Sequence, residues 1–179
     1  HVILSLGAIG SPLTLMRSGV GDPDMLREAG VECLLERREL GKNLHDHLLG
    51  AGNIYRANQH VGPSKLQISE SLSYQAEDPA QTTGRPDIVV GCVAAPSASE
   101  MLAAPELGQG FTLLVGVTNP TSRGELYITG PELSDPPVIN PNYLQTERDR
   151  HLFRVALERA RMVGQSKMLT PWVAEEIHP

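Results

Sequence analysis

Three short stretches hold the residues best placed to do chemistry. The first is His45-Asp46-His47, two imidazoles flanking a carboxylate. In extended backbone alternate residues share a face, so His45 and His47 would point together, as two metal ligands do. No third or fourth ligand follows nearby, and a turn in which Asn43 and Asp46 bond their own backbone accounts for the same residues. The second stretch is Ser122-Arg123-Gly124. Its guanidinium could bind an anion, but a turn arginine paired to a carboxylate is the simpler reading. The third, Gly7-Ala8-Ile9-Gly10-Ser11-Pro12, is a run of small residues. Such residues let main chain lie directly against a ligand that a larger side chain would hold off.

Each stretch needs elements to hold it. Val2-Ile3-Leu4-Ser5 reads as a buried strand feeding the small-residue turn. Ser11 would cap the helix that follows, with Pro12 at its first position, where a missing N–H costs nothing. A buried strand that ends in glycine and opens a helix is where α/β proteins often seat a nucleotide cofactor. Leu13, Met16 and Val20 share one face of this helix, which Gly19 or Gly21 ends. Asp22-Pro23 repeats the cap and proline, and a second short helix runs to Gly30.

Farther along, residues 31–35 predict a short strand and residues 48–55 an extended segment. Leu66, Ile68 and Leu72 suggest a helix, residues 82–86 a turn, and residues 88–93 a β-branched strand. A long loop over 94–110 follows. Residues 111–117 and 125–129 then predict an antiparallel hairpin, and residues 133–143 a proline-punctuated loop. Thr146, with Asp149 three residues on, resembles a capping box. It opens the strongest helix, with Leu152, Ala156, Ala160 and Val163 on one stripe and Gly164 near its end. His151 near its start is expected to be solvated, and Tyr143 with Pro141 to pack against it. There is no internal repeat.

The bulk numbers limit the function. A length of 179 residues allows one domain or parts of two. With only 20% charged residues and regular apolar runs, the sequence argues against disorder. A net charge of −6 argues against nucleic acid, which needs a basic face. Cys33 and Cys92 lie in apolar runs and read as free thiols. No stretch approaches a membrane span, and no basic segment precedes the apolar opening, so a cytoplasmic protein with no membrane partner is expected. The chain opens on His1, not Met, and is already inside the expected core strand. That predicts an internal piece of a longer protein.

Gly7-Ala8-Ile9-Gly10-Ser11-Pro12, then Leu15, then Ser18-Gly19-Val20-Gly21 resembles the second signature of the glucose–methanol–choline (GMC) oxidoreductases. These are FAD-dependent alcohol oxidases and dehydrogenases. Thr14 departs from the aliphatic residue usual there. Gly41-Lys42-Asn43-Leu44-His45-Asp46-His47 is similar to the family's Gly-x-Asn-Leu-x-Asp-His block. Ser122-Arg123-Gly124 and Asn140-Pro141-Asn142-Tyr143-Leu144 resemble two more, in family order.

The resemblance implies an α+β chain. Residues 1–47 would be the end piece of an FAD-binding α/β domain. Residues 48–179 would be part of a substrate-binding domain, an antiparallel sheet with helices on one face. It implies that Gly7, Ala8, Ser11, Asn43, Asp46 and His47 lie beside FAD, with Leu48, Leu49 and Gly50 on the substrate side and no metal. Those three carry no charge, so a cationic substrate would find no carboxylate among them.

The implied reaction takes a primary alcohol to an aldehyde, hydride passing to the flavin while a histidine accepts the hydroxyl proton. No catalytic residue is assigned here. His178-Pro179 comes too soon after the long helix and fits better the family's Glu-x-x-Pro segment, which precedes the catalytic stretch. A GxGxxG after a strand is also absent. The implied partners are a small-molecule alcohol and the rest of the parent chain, without which the piece is expected to be inactive. Two alternatives stay open: a choline or alcohol dehydrogenase-like member, and a non-catalytic small-molecule binding domain.

Overall fold

The computed structural model describes every residue except 51, 66, 79, 81–83, 100 and 179 and the side chain of residue 70. The first elements are α1 (Gly7–Arg17), β1 (Val20–Gly21), α2 (Pro23–Glu28), β2 (Leu35–Glu36), β3 (Lys42–Leu44), β4 (Leu48–Gly50) and β5 (Ile54–Ala57). Then come β6 (Ser69–Gln75), β7 (Ile88–Val93), β8 (Gly110–Val117), β9 (Gly124–Tyr127), β10 (Val138–Asn140), α3 (Glu147–Gly164) and β11 (Val173–His178). They form two compact units, residues 1–46 with 122–145 and residues 47–121 with 146–179.

In the first unit Leu13 and Met16 of α1 bury with Leu26, Ala29, Leu126 and Ile128. Asp22 caps α2, its carboxylate accepting the Asp24 N–H at 2.9 Å, and Pro23 follows at the position that needs no donor. An antiparallel sheet of order β10-β9-β3 completes the unit, with β1 and β2 paired in parallel. Gly41 enters β3 at φ +83, and a Cβ there would run into the Leu126 carbonyl and the Met16 methyl. Both the backbone angle and the space require glycine.

The second unit is built on an antiparallel sheet of order β11-β5-β8-β7-β6, with β4 also paired to β8. Phe111, Leu113, Val115 and Val117 of β8 alternate toward α3, whose Leu152, Ala156 and Ala160 recur at every fourth position. The two periods meet in one core, where each large side chain contributes about 1.5–3 kcal/mol on burial. Thr146 caps α3 by accepting the Asp149 N–H at 3.2 Å. The buried Asp149 carboxylate accepts from both the N–H and the hydroxyl of Thr121, each at 2.8 Å. On the sheet's other face, Thr112 bonds Ala95 and Ser97, so the loop after β7 covers that end.

The fold corrects several expectations. Residues 2–5 are not a buried strand: Val2 and Ile3 are each 89% exposed, and no described strand pairs with them. The first helix starts at Gly7, so Pro12 lies inside it and Ser11 reaches back to accept the Leu6 N–H at 3.0 Å. Val20 falls beyond that helix, in β1. The strand expected over 31–35 shrinks to β2, leaving Cys33 outside it.

Leu72, with Ile68 at helical spacing, belongs instead to β6, where pairing along β7 overrides the local pattern; Leu66 lies outside the described residues. Of the turn expected over 82–86, residues 82 and 83 also lie outside them. The expected hairpin does not form. β8 is apolar on both faces and is a central strand with both edges taken, while β9 pairs with β3 and β10 in the other unit. β10 interrupts the loop expected over 133–143, and Val163 is 37% exposed rather than part of the buried stripe.

Candidate functional site

The opening of α1 is exposed main chain. Gly7 has φ +75, and a Cβ on it would meet nothing within 4 Å, so the space beside it is open. Ala8 is exposed as well. No side chain caps this helix and its first turn holds no acidic residue. Its first N–H groups therefore stand at the positive end of the helix dipole, an arrangement suited to an anionic group. Pro12 has no N–H to offer the Ala8 carbonyl, which is left without its helical bond. Ser11 accepts from Leu6 and keeps a hydroxyl proton to donate.

The family-like blocks of the first unit meet through polar contacts. Asn43 sits at φ +60, and its carbonyl lies 2.9 Å from His45 Nδ1. Tyr143 donates its hydroxyl to Asp46 at 2.9 Å, and this bond to a carboxylate raises the Tyr143 pKa. Asn142, at φ +56, donates its side-chain amide to the Arg123 carbonyl at 2.9 Å. The Arg123 guanidinium donates to the Ser122 carbonyl, also at 2.9 Å. Sequence reasoning missed the Tyr143–Asp46 bond; the available signal was a polar residue in each of two separate blocks.

His45 lies just beyond β3, and His47 opens the second unit. Among the described residues no three His, Cys, Asp or Glu gather as metal ligands. Cys33 and Cys92 are free thiols, and burial pushes Cys92 up in pKa. His178 Nε2 lies 2.7 Å from the Ala103 carbonyl. His151, expected to be simply solvated, pairs with Glu77 at 2.7 Å.

The three residues expected on the substrate side divide between two faces. In β4, Leu48, Leu49 and Gly50 stand opposite Val117, Gly116 and Val115. Leu48 and Gly50 lie on the α3 side, where Phe153 fills the space over Gly50. Leu49 is on the other face and is 51% exposed. There one row runs Leu49, Gly116, Val89, Tyr74, and the next runs Leu114, Gly91, Leu72. Leu49 lies over Gly116 and Leu72 over Gly91. The two leucines fill the space above the two glycines, so this face presents an exposed apolar surface with no charge in either row.

Residues 1–49 and 120–179 each match a family model described as GMC oxidoreductase. The chain is 51% identical over 179 residues to pyridoxine 4-oxidase of Microbacterium luteolum, spanning 100% of this chain and 35% of that protein. It is 29% identical over 184 residues to choline oxidase of Arthrobacter globiformis, across 100% of this chain and 33% of that one. The crystal structure of pyridoxine 4-oxidase from Mesorbium loti superposes with a TM-score of 0.92 at 51% identity, over 97% of this chain and 34% of that one. The chain thus spans about a third of the length of the relatives it matches. No described helix is long and apolar enough to cross a membrane.

Proposed function

The chain belongs to the GMC oxidoreductase family, and from that premise we propose that it forms part of an FAD-dependent enzyme oxidising a primary alcohol, pyridoxine, to its aldehyde, pyridoxal. The observation that carries the substrate is 51% identity across the whole chain to a pyridoxine 4-oxidase. The family's cofactor is FAD. The residues present fit it: an uncapped helix start, open space at Gly7 and no acidic side chain in the first turn. When bound, FAD supplies the acceptor for the alcohol's hydride.

The unit of residues 1–46 and 122–145 is assigned to an FAD-binding domain and the unit of residues 47–121 and 146–179 to part of a substrate domain, so residues 122–145 go with the first and not, as the linear reading had it, with the second. Gly7 and Ala8 would hold the cofactor through main chain, and Ser11 through its free proton. Asn43 and Asp46 shape the loop beside it: Asn43 by its left-handed turn, Asp46 through its bond to Tyr143. His47 completes the proposed cofactor set. Leu49 is the substrate-side residue on the open face, with Leu48 and Gly50 supporting β4 beneath it. No proton acceptor is assigned among these residues.

A choline-type reading is weaker, because Leu48, Leu49 and Gly50 provide no carboxylate for a quaternary ammonium. A non-catalytic binding domain is separated by absorbance. The purified full-length parent should carry flavin and form aldehyde from pyridoxine faster than from choline or benzyl alcohol. A colourless parent that binds the alcohol unchanged would support the binding domain instead.

A further inference from the structure

We propose that the second unit carries a further binding pocket, where β7 ends and β8 begins, and that it takes an amphipathic monoanion, an aliphatic carboxylate. The pocket holds about 310 Å³. Val61, Ile68, Ala94 and Leu107 give it apolar walls, and the exposed His60 supplies an imidazole. A smaller depression of about 140 Å³ shares Val61 and Ala94 with it and is lined further by Phe111 and Trp172. A third, of about 390 Å³, shares Ser64, Ile68 and Ala94 and adds Lys65. The three adjoin, and their lining grades from the buried Phe111 to the exposed His60 and Lys65.

The walls are tied to the sheet. The Val61 N–H donates to the Gly108 carbonyl at 2.8 Å, and the Ala94 N–H to the Ile68 carbonyl at 2.9 Å. The Thr112 hydroxyl donates to the Ala95 carbonyl at 2.9 Å. Gly108 has φ +86, and a Cβ on it would lie 2.5 Å from Cε1 of the His60 ring, so glycine lets the imidazole sit against main chain. A concave, mostly apolar site with a few polar groups already in place is the usual form of a small-molecule pocket.

Charge and size select the ligand. The chain holds 21 Asp and Glu and a net charge of −6, yet among the described residues no carboxylate lines any of the three depressions. His60 and Lys65 do line them, and neither bonds another described residue. An anion is therefore favoured over a cation, and the apolar lining favours an apolar body. At the ~30 Å³ that one water takes in the liquid, the pocket has room for about ten non-hydrogen atoms, the size of octanoate. Its carboxylate would lie near Ser64, which the His60 and Lys65 depressions have in common. Leu49 stands elsewhere: its partner Gly116 is about 17 Å from Phe111 along β8, at ~3.4 Å per residue. The proposal holds whether or not the parent oxidises an alcohol.

Calorimetric titration of the full-length flavoprotein with octanoate tests it, with octanamide as the uncharged isostere. Octanoate should bind one to one with a Kd of about 1 mM or tighter, and octanamide more weakly. Lys65→Met keeps the side chain's length and removes its charge. It should weaken octanoate about tenfold, the loss of one charge-assisted hydrogen bond, and leave octanamide unchanged. Ala94→Leu puts carbon into all three depressions and should weaken both ligands. No binding at about 10 mM octanoate would overturn the proposal, and would mean that another part of the parent fills the pocket. Octanamide binding as tightly as octanoate would overturn it too, as would octanoate affinity that Lys65→Met leaves at the wild-type value. If thermal unfolding shows that Ala94→Leu does not fold, the Lys65→Met comparison decides alone.

Discussion

The Tyr55 hydroxyl is buried and finds no hydrogen-bond partner among the described residues. Its ring stacks on Phe111 with centroids 5.4 Å apart, so packing holds it in place regardless of the hydroxyl. Burial pushes its pKa from 10.0 to about 12. The unfolded chain therefore releases this proton as pH rises past 10.0, while the folded chain keeps it until about 12. Stability contributed by the neutral phenol is full below that window and lost across it. Tyr55→Phe should be neutral or stabilising at pH 7, within about 1 kcal/mol, and should flatten the alkaline loss. Urea unfolding at pH 7 and through the alkaline range checks this; a loss above about 2 kcal/mol at pH 7 would reveal a bonded hydroxyl. Residues in single motifs were legible from sequence because their spacing is local. The Tyr143–Asp46 bond was not, since its partners lie 97 residues apart and no local pattern joins them.

At the scale of elements, α3 was the most legible. Its cap at Thr146, its stripe of Leu152, Ala156 and Ala160, and its last residue Gly164 all follow from spacing and end chemistry. Why Gly164 must be glycine was not legible. A Cβ there would collide with the Tyr55 ring and hydroxyl, a contact made by β5 and not by the helix. Glycine to alanine in a helix ordinarily stabilises by about 0.5–1 kcal/mol. Here overpacking of a buried, stacked ring should win, so Gly164→Ala should destabilise by about 1–3 kcal/mol. Thermal unfolding of the variant decides which effect dominates. The strands were legible one at a time but not in their partners. β8 showed its alternation, yet the local sequence around it could not show that β9 pairs elsewhere.

At the scale of the whole molecule, each compact unit is assembled from separated segments, and the chain passes between units after residues 46, 121 and 145. Local reading favours contiguous pieces, and long-range pairing is invisible to it. The order of the family blocks was legible, because each carries turn residues whose backbone needs are local, such as Gly41 at φ +83. The exposed opening was not. An apolar run looks like a core strand, but none of the described strands pairs with Val2 or Ile3.

The most direct test replaces Gly7 with leucine in the full-length flavoprotein and measures FAD affinity. Gly30→Leu is the control: Gly30 has φ +73 and the same open surroundings as Gly7 at φ +75, so the backbone strain is matched. With circular dichroism showing both variants folded, Gly7→Leu should weaken FAD binding at least tenfold while Gly30→Leu binds as the wild type does. Equal affinity in the two variants would contradict the placement of the cofactor against the opening of α1.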